Sequence, residues 1–142
     1  MNESWQYQLR IDVSAALAPA LRDDPSGAAL AALHEILCTH RAVLRCQFDA
    51  FADYVREAEQ RGAHDYPLYA WTRQTLADPD KQARYLRSFT LYVEGREVYD
   101  KAVADALEAQ LAPLAGRDGI ERVRRFDTNP AHNPQPPAEA RG

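Results

Sequence analysis

The chain has 142 residues, of which 46% are hydrophobic and 27% are charged, and its formal net charge is −4 at pH 7. This length and composition are typical of one globular domain with its own core, and they exclude wholesale disorder. Lysine and arginine are not in excess over aspartate and glutamate, so we do not expect a nucleic-acid partner.

The amino terminus and the cysteine content predict where the protein works. Residues 1–5 show neither the basic n-region nor the apolar h-region of a signal peptide. No apolar run approaches the roughly 20 residues that span a bilayer, so no membrane partner is expected. Two cysteines without a secretory signal predict reduced thiols in the cytoplasm.

The first predicted element is a strand over residues 5–13. Trp5, Leu9 and Val13 belong to an apolar set that alternates strictly with polar residues, which is the period of a half-buried strand. Residues 14–23 contain Pro19 and are predicted to form a loop with at most a short helical turn.

A helix and a second strand are predicted next. Asp24, Pro25 and Ser26 supply capping oxygens and a first-turn proline for a helix that reaches about His40. Its core face carries Leu30, Leu33 and Leu37. Alternation over residues 44–48 then predicts the second strand.

Residues 50–84 are predicted to be a two-helix insertion. The first helix ends at Gly62, and the second is capped by Asp65 with Pro67 in its first turn. Residues 78–80, Asp-Pro-Asp, break or restart the second helix before the next strand.

Residues 86–127 repeat the order strand, helix, strand. Phe89, Leu91 and Val93 alternate with polar residues, and Gly95 ends that strand. The helix that follows is expected to bury one stripe of side chains: Tyr99, Val103, Ala106, Leu107 and Leu114. A last strand covers Ile120–Asp127, and the proline-rich residues 129–142 are predicted to be a mobile tail.

The two halves together predict the fold class. Strand, helix, strand occurs twice, which is the β-α-β-β-α-β order of an α+β, ferredoxin-like sandwich with the insertion between its halves. Residues 1–128 would form this single domain, with helices on one face of an antiparallel sheet and the other face open. The alternative is a thioredoxin-like α/β layer fold in which the insertion helices form a crossover.

Four side chains that can bind metal ions lie close together in the sequence: His34, Cys38, His40 and Cys46. His34 and Cys38 are one helical turn apart and would project from the same side. Their spacing matches no common structural zinc pattern, so we predict no metal site and no cofactor, and whether the four ever bind metal stays open. Cys38 beside a histidine is also the candidate for thiol catalysis.

The insertion concentrates aromatic and ionisable groups at His64, Tyr66, Tyr69 and Arg73. They are candidates for a pocket wall, with His64 as a general base and Arg73 binding an anion. Exposed tyrosine and arginine are also favoured at protein interfaces, so His64, Tyr69 and Arg73 are predicted binding residues.

The open sheet face is predicted to be polar and locally basic. Alternation directs outward the side chains of Arg10, Arg45, Tyr92, Arg122 and Arg124. Such a face suits an acidic protein partner, a self-dimer across the sheet or a small anionic ligand. Tyr92 is its single stacking aromatic, which is too few for single-stranded nucleic acid.

The sequence carries no nucleophile elbow, no paired-cysteine motif and no glycine-rich phosphate loop, and we assign no catalytic residue. The favoured function is therefore a non-enzymatic binding or regulatory protein, such as an adaptor, inhibitor or neutraliser. It would meet a protein partner through the sheet face and the insertion helices. The alternative is a small cofactor-free enzyme or ligand-binding protein with a pocket between the sheet and those helices.

Overall fold

The computed structural model describes residues 6–24 and 26–127, which form an α+β fold around one four-stranded antiparallel sheet. The strands are β1 (Tyr7–Val13), β2 (Ala42–Cys46), β3 (Ser88–Val93) and β4 (Ile120–Asp127). The helices are α1 (Ala18–Asp23), α2 (Ala31–Thr39), α3 (Gln47–Arg61), α4 (Tyr69–Ala77), α5 (Pro79–Leu86) and α6 (Lys101–Leu111), with 3-10 turns at Ala63–Asp65 and Ala112–Leu114.

The strand order in the sheet is β2-β3-β1-β4, and every pair of neighbours is antiparallel. β1 and β3 are therefore central, and β2 and β4 are the edges. An entirely antiparallel sheet argues against the alternative α/β layer fold, in which neighbouring strands run parallel.

The hydrophobic core lies on the inner face of the sheet, beneath α2 and α6. Leu9 and Ile11 of β1 and Phe89 and Leu91 of β3 are fully buried there, as alternation predicts. From the helices, α2 contributes Leu33 and Leu37, and α6 contributes Ala104, Leu107 and Leu111.

The segment between β1 and β2 differs from its prediction. Residues 18–23 form the short helix α1, and Pro19 is tolerated because it lies in the first turn, where its missing N–H costs nothing. Helix α2 begins only at Ala31. Asp24 accepts hydrogen bonds from the backbone and hydroxyl of Ser26 instead, so these two residues form a turn and not a helix cap.

The insertion contains three helices, α3, α4 and α5, so the prediction of two was wrong. Helix α3 ends at Gly62, whose φ of 106° suits glycine, as predicted. Asp65 lies in a 3-10 turn and does not cap α4, which begins at Tyr69. Asp78 accepts hydrogen bonds from the backbone N–H groups of residues 80 and 81 and caps a separate helix, α5.

Helix α6 also begins later than its side-chain stripe suggested. Asp100 caps it by accepting a hydrogen bond from the backbone N–H of Val103, so Tyr99 precedes the helix. Ala106 is exposed, and Ala104 takes the predicted place in the core.

Tyr99 joins the two central strands at the point where their own hydrogen bonding stops. The β1–β3 register reaches Arg10 opposite Thr90. One residue further, the hydroxyl of Tyr99 accepts a hydrogen bond from Leu9 N at 2.8 Å and donates to Leu91 O at 3.2 Å. The buried phenol therefore replaces a direct contact between the strands, and its burial raises the pKa of Tyr99 to about 12.

Trp5, Pro25 and the predicted tail at residues 129–142 lie outside the described residues. Within the described ranges, no helix combines the length and the apolar character needed to cross a membrane.

Candidate functional site

The outer face of the sheet is only partly open, because the insertion helices lie against one end of it. Ser88 and Thr90 point outward from β3, yet they are only 2% and 7% exposed. Arg45 reaches Asp53 of α3, and Tyr85 of α5 lies beside Arg10 and Ser88. The prediction of an open second sheet face was therefore wrong for this part of the sheet.

A cavity of about 390 Å³ lies where the sheet and the insertion meet. We call it the arginine cavity. Its lining residues are Arg10, Asp12, Gln47, Arg84, Tyr85, Arg87, Ser88, Glu121, Arg122 and Arg124. Five arginines and two carboxylates give it a surplus of three positive charges, although the whole chain is acidic.

The register of β1 and β4 brings three of these arginines together. Arg10 lies directly opposite Arg124, and Asp12 lies opposite Arg122. Asp12 accepts hydrogen bonds from Arg122 and, at 2.9 Å, from Arg124 Nη2, which also donates to Ser88 Oγ at 3.2 Å. One carboxylate therefore serves two arginines and leaves the third, Arg10, beside a like charge, which is normally destabilising.

Arg10 is positioned without an acidic partner. Its Nε donates to Gln8 Oε1 at 2.7 Å, and Gln8 Nε2 in turn donates to the carbonyl oxygen of Glu97 at 3.1 Å. Its Cζ lies 4.4 Å from the ring centroid of Phe126, a cation–π contact. Among the described residues no carboxylate forms an ion pair with Arg10, and burial, followed by the charge of Arg124, lowers its pKa.

Helix α5 adds arginines from the opposite wall. Arg84 lies in the last turn of α5, and Arg87 follows the helix. A hydrogen bond of 2.9 Å from Val13 N to Arg87 O fixes this segment to the end of β1. Arg87 is 3.9 Å from Glu121 across partly exposed side chains, and within the described ranges Arg84 has no carboxylate at ion-pair distance.

The arrangement is suited to binding an anion. Guanidinium groups donate paired hydrogen bonds to carboxylate or phosphate oxygens, and these bonds strengthen when they are shielded from water. The lining includes two carboxylates, but Asp12 is paired with Arg122 and Arg124, and Glu121 lies 3.9 Å from Arg87. The arrangement therefore favours binding over proton transfer.

Comparisons with protein-family models, with curated proteins and with solved structures found no match to the chain. Any assignment of function therefore depends on the site itself.

The predicted binding residues fall into separate groups. Arg10, Arg122 and Arg124 meet in the arginine cavity, as their alternation implied. Arg45 and Tyr92 project from the same face but do not line the cavity. Arg45 Nη2 donates to Asp53 Oδ2 at 2.5 Å, which neutralises much of its charge.

His64, Tyr69 and Arg73 form no part of the cavity lining. Tyr69 donates to Glu59 at 2.9 Å and accepts a hydrogen bond from Arg73 at 3.2 Å on the exposed side of the insertion. His64 lies in the 3-10 turn, 3.4 Å from Asp65. These three residues therefore do not line the arginine cavity, where α5 forms the wall that faces the sheet.

Sequence reasoning missed Arg84, Arg87 and Tyr85. Their signal was available in part, because α5 begins at the predicted break, residues 78–80. The sequence does not indicate on which face of the sheet this helix packs.

The four residues considered for metal binding do not converge. His34 Nδ1 lies 2.9 Å from Ser26 O and its Nε2 lies 3.5 Å from Cys38 Sγ. His40 contacts Gln110 at 3.3 Å, and buried Cys46 donates to Tyr85 O at 3.4 Å. Across the described part of the chain, no group of three or more His, Cys, Asp or Glu side chains is placed to hold a metal ion.

We expect iodoacetamide to modify Cys38 well before Cys46 at neutral pH. Cys38 is exposed, and His34 Nε2 can accept its proton because Nδ1 donates to the Ser26 carbonyl. Cys46 is buried, and burial raises the pKa of its thiol. Mass spectrometry of digested protein over a time course measures both rates. Faster modification of Cys46 contradicts the prediction, and His34→Ala reports how much the imidazole contributes.

Proposed function

We propose that this protein is a non-enzymatic binding protein that recognises an anionic ligand in the arginine cavity. The ferredoxin-like topology belongs to the same proposal. It is supported by the strand order β2-β3-β1-β4 with antiparallel neighbours throughout. In that arrangement the insertion α3–α5 converts part of a flat sheet face into one wall of a binding site.

The observation that carries the proposal is Arg10. It is held by Gln8 and Phe126, it lies opposite Arg124, and no described carboxylate pairs with it. Asp12 pairs with Arg124, but its charge acts on Arg10 less strongly than the repulsion from Arg124 does. This partly buried like-charged pair therefore costs stability unless a further negative charge joins it. An anion bound between Arg10 and Arg124 would supply that charge, which is the usual reason for retaining an unfavourable contact at a binding site.

The predicted protein partner and self-dimer remain proposals. The insertion helices leave less of the outer sheet face accessible to either of them than expected. The outer face is still open at Val43, which is 47% exposed on the edge strand β2, opposite Tyr92. A partner that also reaches the arginine cavity would need an acidic side chain at that point.

Calorimetric titration with inorganic phosphate and with citrate tests the proposal. We expect both ions to bind the unmodified protein. We expect Arg10→Met to weaken the binding about tenfold or more, because a hydrogen bond between charged groups contributes about 1.5–3 kcal/mol. Arg73→Met is the matched control, since Arg73 is exposed on α4 and outside the cavity; its affinity should equal that of the unmodified protein.

The same variants separate a lost ligand contact from lost folding. Arg10→Met should leave the free energy of unfolding nearly unchanged, because the lost contacts with Gln8 and Phe126 are offset by removal of a partly buried charge and its repulsion with Arg124. Absence of binding by both ions, or equal binding by both variants, contradicts the proposal. Binding of a glutamate-rich peptide without binding of either ion would support the protein partner instead.

A further inference from the structure

A second concavity adjoins the arginine cavity and has a different character. It is a groove of about 510 Å³ between α1 and α5, and we call it the apolar groove. Its lining residues are Ala15, Ala18, Pro19, Arg22, Asp80, Ala83, Arg84, Leu86 and Arg87. Arg84 and Arg87 line both spaces, so the groove and the arginine cavity lie on either side of these side chains.

The local structure explains why one wall carries both apolar and basic groups. Residues 80, 83, 84 and 87 recur at the spacing of one helical face, so α5 and the residue after it turn one side toward the groove. Along this side, Ala83 and Leu86 supply apolar surface, and Arg84 and Arg87 lie next to it. Tyr85 points elsewhere and packs edge-on against Phe51, with ring centroids 5.0 Å apart.

The charges in the groove determine which end takes an anionic group. Arg22 is already paired with Asp49 at 2.7 Å, so it offers little positive charge. Asp80 lies one helical turn before Arg84 and repels an anion from that end. The attraction for a negative group is therefore concentrated where Arg84 and Arg87 meet the arginine cavity.

We propose that the ligand is an amphiphilic anion, with a carboxylate or phosphate head in the arginine cavity and an unbranched apolar chain in the apolar groove. The inference depends on the proposed function and adds the chemistry of the ligand to it. Both volumes lie in the range of small-molecule sites, and a site that joins an apolar wall to a few convergent charged groups is typical of such ligands.

Titration with a series of straight-chain carboxylates tests whether the apolar groove binds the hydrocarbon chain of a ligand. Acetate, hexanoate and octanoate are compared below their micelle concentrations, with octylamine as the control of opposite charge. We expect the dissociation constant to fall by up to about fourfold for each methylene that enters the groove. Octylamine should bind more weakly than octanoate, because its ammonium group is repelled by the arginines and only Asp80 of the described groove lining could attract it.

A variant that blocks the apolar groove tests whether the hydrocarbon chain of the ligand binds there. Ala83→Trp should fill the apolar groove and remove the dependence on chain length, while acetate and phosphate still bind as before. Gln82→Trp is the matched control, because Gln82 is exposed on the same helix but does not line the groove. It should keep the full difference between acetate and octanoate.

The outcomes distinguish this inference from the proposed function. One outcome is that phosphate and acetate bind in a manner that requires Arg10 while octanoate binds no tighter than acetate. That result contradicts the proposed amphiphilic ligand but not the proposed anion site. Equal octanoate binding by Ala83→Trp and Gln82→Trp also overturns it. If neither phosphate nor any carboxylate binds, the proposed function fails and the inference fails with it.

Discussion

Replacing Tyr99 by phenylalanine should lower the free energy of unfolding by about 2 kcal/mol or more, although it removes a single oxygen atom. That oxygen accepts from Leu9 N and donates to Leu91 O inside the core. Without it, both backbone groups remain buried and unpaired, and each unpaired group costs about 1–3 kcal/mol. Urea unfolding measures the loss.

A second tyrosine provides the control. Tyr85 packs its ring against Phe51, and among the described residues its hydroxyl forms no hydrogen bond to a backbone group such as those that Tyr99 forms. Tyr85→Phe should therefore change stability by no more than about 0.5 kcal/mol. Equal effects of the two variants would show that Tyr99 acts through its ring alone.

The stabilisation that Tyr99 contributes should depend on pH. Its pKa is raised from 10.0 in the unfolded chain to about 12 in the fold. The unfolded state therefore loses this proton first. The stabilisation is complete below pH 10 and falls by about 3 kcal/mol as the pH rises toward about 12. The stability of Tyr99→Phe should fall less steeply over this interval, and identical slopes would contradict the assignment.

Tyr99 also shows where prediction from the sequence reaches its limit. Its spacing from Val103 and Leu107 fits a helical stripe, so periodicity places it in α6. The helix begins later because Asp100 takes the capping position. Local pattern thus identified a buried tyrosine correctly, but the contact of its hydroxyl with two strands distant in sequence is a tertiary feature.

The candidate site also has one part that the sequence predicts and another part that depends on tertiary packing. Alternation along β1 and β4 places Arg10, Arg122 and Arg124 on one face, and the structure confirms their common face through the strand register. Arg84 and Arg87 reach the same space because α5 packs on that face, which depends on how three insertion helices close on each other. Periodicity identifies the buried side of a helix, but it does not indicate which surface will cover it.

Asp12→Asn should lower the free energy of unfolding and raise the affinity of the arginine cavity for phosphate. The side chain of Asp12 is only 13% exposed and is the carboxylate that Arg122 and Arg124 share. Its loss should lower the free energy of unfolding in dilute buffer by about 2–3 kcal/mol, because two arginines lose a charged acceptor. The cavity then has one more unbalanced positive charge, so its affinity for phosphate should rise. Urea unfolding with and without phosphate, and calorimetric titration, measure the two effects.

Phosphate should therefore restore more stability to Asp12→Asn than to the unmodified protein, because a ligand that binds only the folded state stabilises it in proportion to its affinity. Sodium chloride at the same ionic strength corrects for screening of exposed charges. Asp105→Asn is the matched control: it removes a carboxylate that pairs with Lys101 and Arg125 on the surface, outside the cavity. An equal response of both variants to phosphate would mean that the ion acts on the overall charge of the protein. A greater response of Asp12→Asn than of Asp105→Asn would place the bound anion beside the arginines that share Asp12 in the unmodified protein.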